Sequence, residues 1–281
     1  MTNRPLILMT NDDGIDSPGL HAAAEAIVDL GDLLILAPSS QQTGAGRSYP
    51  ATSDNTIYST QIPLKGSYHP AYKANVSPAQ TVPLALEVLA KRPIALCVSG
   101  INFGENLGTG VTISGTVGAA IDAACFGIPS IALSLQTPKK YHHNPSSEID
   151  FSVAAHFTRY FVQQTLSKGH PPNVDLLKID IPESATKQTP WRTASVSRQR
   201  YYDLVHKNTQ CRANCPESEE TVSRLLRDKA EPNSDVYIFA VEKLVSVVPM
   251  TIDLTAPVTL DDVSQFYQRE AIASPVVPQP A

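Results

Sequence analysis

Along the first 135 residues, short runs of consecutive apolar side chains alternate with segments whose apolar positions recur every three or four residues. The runs at 6–10, 33–37, 94–98 and 129–135 have strand length and are apolar almost throughout, the pattern of strands buried on both faces. Between the first two, Ser17-Pro18 supplies a helix start, with serine as N-cap and proline at the first helical position. Leu20, Ala24, Ile27, Val28 and Leu30 give that helix one apolar face. Ser77-Pro78 repeats the signature and predicts a helix over 78–90, and the small-residue segment 115–126 predicts another. Residues 56–76 read as short strands with polar breaks. Buried strands alternating with helices imply an α/β fold with a mainly parallel sheet covered on both faces.

Three segments between these elements are unusual, at 11–17, 38–50 and 99–116, and each follows a predicted strand. In a parallel sheet all three open on the same edge, where α/β proteins bind their ligands. The second half is less regular. A helix over 148–166 precedes a strand at 176–181, and 183–235 is polar and poorly periodic. The runs 236–241 and 245–248, joined by Glu242-Lys243, predict a β-hairpin, and 260–269 a short helix. These readings divide the chain into a core at 1–182, a C-terminal extension at 183–273 carrying the hairpin, and a Pro-rich, disordered tail at 274–281.

A chain of 281 residues can bury a sizeable core, and 22 Lys and Arg against 27 Asp and Glu leave a net charge of −5. That balance excludes a basic track for long nucleic acid, which relies on clustered cations. No stretch approaches the roughly 20 apolar residues of a membrane span, and the run at 6–9 is too short for a signal-peptide core. The expected compartment is the cytoplasm. Of four cysteines, Cys97 and Cys125 lie in apolar segments and read as buried thiols. Cys211 and Cys215, near His206, form a lone C-x3-C with no second pair, which reads as solvent-facing thiols ahead of a zinc site. His21 reads as a packed or surface histidine, His142 and His143 as solvated. Trp191, Tyr201 and Tyr202 fit a stacking role or a core or interface role equally.

Asp12 and Asp13, followed by Gly14, place two carboxylates side by side at the end of the first strand. Like charges so close raise one another's pKa unless a cation sits by them. The pair therefore reads either as hard oxygen ligands for Mg²⁺ or Mn²⁺ or as a solvated turn in which Asp13 or Asp16 caps the next helix. The glycine-bearing segment 99–108, leading to Ser114-Gly115-Thr116 at a helix start, suits an anion held by backbone N–H groups and the helix N-terminus. It equally suits a loop that merely turns sharply, and it is not the dinucleotide fingerprint.

Taken together, TNDDGIDSPGL from Thr10, SGINFGENLG from Ser99 and SGTV from Ser114 resemble the SurE family of survival proteins, the 5'/3'-nucleotidases. Ala37-Pro38 with Thr43-Gly44, and the 244–255 segment, add to the likeness. The resemblance implies a Rossmann-like three-layer α/β/α sandwich, a smaller C-terminal extension used in forming homodimers or homotetramers, and one divalent metal ion, Mg²⁺ or Mn²⁺, per subunit. It further implies phosphomonoesterase activity on nucleoside monophosphates. Carried over by position, the metal ligands fall on Asp12, Asp13, Thr43 and Asn102, with Asp12 and Asp13 also the catalytic candidates. The phosphate- or substrate-binding set falls on Asn11, Gly44, Asn106, Ser114, Gly115 and Thr116. Thr43 stands where the family usually has serine, and Ile113 where it often has tyrosine.

Two other readings compete. An aspartyl-phosphate mechanism with Asp12 as nucleophile usually shows D-x-D-x-T, whereas this chain has Asn11-Asp12-Asp13-Gly14. A non-catalytic nucleotide- or phosphate-sensing module would use the same acidic rim, but receivers place their acceptor aspartate at the end of a later strand. Here the 94–98 run ends in Ser99-Gly100.

Overall fold

The computed structural model describes residues 4–142, 146–206, 219–223 and 230–267. The first strand, β1 (Leu6–Thr10), is buried at every position and leads to α1 (Pro18–Ile27) and β2 (Asp32–Pro38). An antiparallel pair, β3 (Ile57–Leu64) and β4 (Ser67–Ala74), precedes α2 (Pro78–Leu84), whose N-cap Ser77 and Gln80 satisfy each other's backbone N–H groups. Then come β5 (Ile94–Phe103), α3 (Gly115–Cys125), β6 (Ser130–Leu135), α4 (Ser152–Lys168) and β7 (Leu176–Ile181). The C-terminal part contributes β8 (Trp191–Thr193), β9 (Tyr202–His206), β10 (Glu219–Ser223), α5 (Asp235–Ala240), β11 (Val245–Met250) and α6 (Leu260–Tyr267).

Nine strands form one sheet in the order β3-β4-β2-β1-β5-β6-β7-β11-β8. Neighbours from β4 through β7 are parallel, and β11 runs antiparallel to β7 and parallel to β8. The alternation of β1 shows how the layers form. Ile7 and Met9 join the core under α1 and α4, with Leu20, Ile27, Phe157 and Phe161, while Leu6 and Leu8 join the core on the other face, with Val82, Cys97 and Ala123. Each such side chain, wholly buried, contributes about 1.5–3 kcal/mol. The α/β three-layer expectation is met.

Three expectations need correction. Residues 236–241 are not the first strand of a hairpin but lie largely in α5. Val236, Tyr237, Ile238 and Phe239 look strand-like because β-branched and aromatic residues favour strands. The Ser234 hydroxyl, however, accepts from Tyr237 N–H (3.2 Å) and starts a helix, whose Val236, Ile238 and Phe239 are buried. The second run, β11, then enters the main sheet. An antiparallel pair does occur in the C-terminal part, but it is β10 with β9. Second, residues 99–103 are not loop: β5 continues past the end of β1 because Asn102 and Phe103 pair with Ser134 and Leu135 of β6. Third, the helix over 78–90 gives way after Leu84 to a wider π turn at Ala85–Leu89, just beyond Pro83. Cys211, Cys215, His143 and the 274–281 tail lie outside the described residues.

Candidate active site

β1 sits where the strand order reverses, with β2 on one side and β5 on the other. Connections leaving in opposite directions open a crevice beyond the carboxyl ends of the strands. The loop after β1 is a tight turn closed by Asn11, whose Nδ2 donates to the Gly14 carbonyl (3.0 Å) while its Oδ1 accepts from Gly14 N–H (3.2 Å). Gly14 has φ +95°, a conformation strained for any side chain, and an added Cβ would meet the Ser40 backbone at 3.2 Å. The loop after β2 therefore packs straight onto the first. Gln42 N–H donates to the Asp12 carbonyl (2.7 Å) and Ile15 N–H to the Pro38 carbonyl (2.9 Å), stitching the two together.

The two carboxylates at this seam are 4% and 7% exposed. Asp12 Oδ1 accepts from the Thr116 hydroxyl (2.5 Å). Asp13 Oδ1 accepts from Gln41 Nε2 (3.0 Å) and Oδ2 from Phe103 N–H (3.2 Å). All these donors are neutral. Among the described residues no lysine or arginine pairs with either acid. Burial pushes Asp12 up to about 6 against the Thr116 hydrogen bond. It raises Asp13 well above the usual carboxylate range, with the Asp12 charge adding to it. Two adjacent acids held in a buried rim without a counter-ion fit a hard divalent cation. Among the described residues no three His, Cys, Asp or Glu side chains gather to hold a metal. A cation here would complete its shell with neutral oxygens.

The remaining expected ligands lie on two other segments, the end of β5 and the loop after β2. Asn102, near the end of β5, donates its Nδ2 to the Gly104 carbonyl (2.7 Å), so its amide oxygen is the end left for a ligand. Thr43 is exposed beside Gln42, and Gly44 next to it has φ +77°. The hydroxyl of Thr43 makes no hydrogen bond to either carboxylate in this structure.

The N-terminus of α3 closes the rim. Ser114 caps it, accepting from Val117 N–H (3.1 Å). A Cβ on Gly115 would lie 2.7 Å from Asp12 Cβ, so the positive end of the helix rests directly on that side chain. Asn106 lies on the other side of the opening, its Nδ2 donating to Ser134 Oγ (2.8 Å). The structure thus brings Gly115 and Thr116 into contact with Asp12, beside Asp13, and places Asn102 near the end of β5 and Asn106, Thr43 and Gly44 on loops. Asn11 faces inward, with both ends of its amide used in the turn.

Sequence reasoning missed Gln41, which bridges Asp13 to the His142 carbonyl (2.7 Å). It also missed Glu105, a buried acid raised by burial, towards which Tyr202 and Tyr201 direct their hydroxyls. The charges of Lys178 and Asp180 inside an otherwise apolar strand were a signal that could have been read. A cavity of about 460 Å³ lined by Arg4, Arg92, Thr165 and Gly169 lies at the opposite edge of the sheet. There Arg4 and Arg92 are tied to Asp32 and to backbone carbonyls, and the cavity is no part of the rim.

Fold and rim define an α/β protein of the doubly wound class, with a buried acidic pair and a helix N-terminus meeting at the crevice of its sheet. The family model described as "Survival protein SurE" matches residues 7–203. A 5'-nucleotidase SurE of Thermococcus gammatolerans is 38% identical over 95% of this chain and 97% of its own length. That of Thermococcus kodakarensis is 37% identical over 92% of this chain and 96% of its own. The crystal structure of the SurE protein from Aquifex aeolicus superposes with a TM-score of 0.73 at 27% identity, covering 94% of this chain and all of that one. The chain belongs to the SurE family.

Proposed function

We propose that this chain is a divalent-metal-dependent phosphomonoesterase that hydrolyses nucleoside monophosphates, with Asp12, Asp13, Asn102 and Thr43 as its metal site. The observation that carries the reading is the buried pair Asp12 and Asp13, which has neutral donors and, among the described residues, no counter-ion. Relatives named 5'-nucleotidase SurE support the substrate class. When bound, Mg²⁺ or Mn²⁺ supplies Lewis-acid polarisation of a phosphoryl oxygen and acidifies a water for in-line attack.

The chain's own residues do the rest. Thr116 holds Asp12 Oδ1, leaving Oδ2 facing the α3 N-terminus. Gln41 and the Phe103 amide hold Asp13 from two sides, fixing its orientation. One of the two carboxylates takes the proton of the attacking water. The helix N-terminus at Gly115 and Thr116, with the Ser114 hydroxyl, Asn106 and the backbone near Gly44, binds phosphoryl oxygens as charge develops.

Assembly as a homodimer or homotetramer goes with this reading. Residues 251–267 are exposed almost throughout, including Leu254 at 94% and Tyr267 at 80%, an apolar arm suited to a second copy. Among the described residues no helix is long and apolar enough to cross a membrane. Cys97, buried as expected, and Cys125, exposed at the end of α3 rather than buried, are free thiols, which fits a cytoplasmic setting.

The test is a panel of nucleoside 5'- and 3'-monophosphates and a chromogenic phosphate ester, assayed with Mg²⁺, Mn²⁺ and chelator. Metal-dependent release of phosphate is expected. Absence of turnover with every metal would overturn the reading, and labelled phosphate retained on the protein would redirect it to a phosphoenzyme.

A further inference from the structure

Beneath the 104–108 loop lies a second group of charges that the metal site does not use. Lys178 and Asp180 sit two residues apart on β7, and with Asp235, the first residue of α5, they are wholly buried. Lys178 Nζ donates to the Asn106 carbonyl (2.9 Å), to Asp180 Oδ2 and to Asp235 Oδ2 (3.0 Å), so each ammonium proton has an acceptor. Asp180 Oδ1 accepts from Asn106 N–H (2.7 Å). Asp235 Oδ2 accepts from Gly108 N–H (3.1 Å), and its Oδ1 from Ser197 N–H (2.9 Å) and Val236 N–H (2.8 Å). One ion pair therefore grips both backbone polar groups of Asn106. Its side-chain nitrogen gives one proton to Ser134 and keeps a second for a ligand.

Buried ion clusters add little net stability over apolar side chains of similar volume, but they demand one geometry. Here the geometry demanded is that of the loop. The same loop is tied to the C-terminal part by Thr109 N–H donating to the Gln199 carbonyl (3.0 Å), and by Leu107 packing with Tyr201, Val236 and Phe239. We infer that the Lys178–Asp180–Asp235 cluster is a positioning device that sets Asn106 at the height where the loop meets phosphate. Through Asp235, it makes that geometry depend on the C-terminal part of the chain. The inference rests on the phosphate role proposed above for Asn106.

The experiment uses the full chain with Mn²⁺ and measures three quantities: inorganic phosphate affinity and Mn²⁺ affinity by calorimetry, and KM against kcat for a nucleoside monophosphate. In Lys178→Met, phosphate affinity is expected to weaken and KM to rise by about tenfold or more, the scale of a misplaced contact group, with Mn²⁺ affinity within about twofold. Should that variant not fold, Asp235→Asn keeps the shape. Whichever way its amide turns, an N–H faces another donor, and a shift of about threefold in the same direction is expected. Unchanged phosphate affinity in a folded variant overturns the inference. So does a parallel loss of Mn²⁺ and phosphate affinity, or a wild-type chain that binds no phosphate. A wild-type chain without turnover sinks the functional reading instead, while the phosphate measurement still decides this one.

Discussion

Two groups of buried carboxylates stand about the same loop system and are treated in opposite ways. Asp180 and Asp235 have Lys178 between them, and burial works against the lysine charge but is outweighed by the two acids, which raise its pKa. Among the described residues, Asp12 and Asp13 receive only hydroxyl, amide and backbone donors. The first group has one cation for two acids, and although burial still pushes Asp180 up to about 6, the ammonium holds both carboxylates in place as framework. The second has no lysine or arginine partner among the described residues, and the metal site proposed above rests on that difference rather than on burial alone.

The comparison is broken most directly at Asp12 and Asp13. Either Asp→Asn change is expected to cut kcat/KM by about 10³-fold or more with the fold retained. It should also raise the melting temperature of the metal-free protein at pH 7.5, since ionised acids with raised pKa oppose folding there. A metal-free variant less stable than wild type would contradict the contrast. Lys178→Met has the opposite sign, destabilising by about 3–5 kcal/mol because two buried acids lose their partner, read by denaturant melts.

A third test uses pH. Asp12 has a folded pKa of about 6 against an ordinary 3.8. Raised in the folded state, it favours the metal-free fold at low pH, and that advantage is lost as pH rises from about 4 through 6. Metal must displace the proton, so Mn²⁺ affinity should fall about tenfold per unit below pH 6 for one proton, more steeply if Asp13 also titrates. Melts with and without chelator should accordingly show a larger metal-induced shift at pH 7.5 than at pH 5. The smallest effects are expected at Thr43. Thr43→Val should weaken Mn²⁺ binding about tenfold and Thr43→Ser only a few-fold, since serine keeps the oxygen. An unaffected Thr43→Val would remove this residue from the ligand set.

Much of the core was legible because β1, β2, β5 and β6 carry short, largely apolar runs alternating with helix signals, the pattern of strands covered on both faces. The 11–17 turn and the Ser114 cap were legible because turn and cap chemistry are local. What failed was non-local. Val236 to Phe239 favour strands by composition, and only Ser234 and the burial around Leu107 make them helical. The extension of β5 to Phe103 depends on β6 outlasting β1 beside it. Gln41 could not be singled out because its partners, Asp13 and His142, are brought to it by two other loops.

The contact between Gly115 and Asp12 has a mechanical consequence. With no side chain between helix and carboxylate, α3 and the tip of β1 act as one stiff jaw, and nothing on that side can yield to fit different substrates. The 38–50 loop is fastened to the same jaw, through Gln42 and the Asp12 carbonyl and through Arg47 and Tyr49 on the buried Asp122 of α3. Discrimination must therefore come from the side chains this loop leaves exposed, Thr43, Arg47 and Tyr49, and not from its movement.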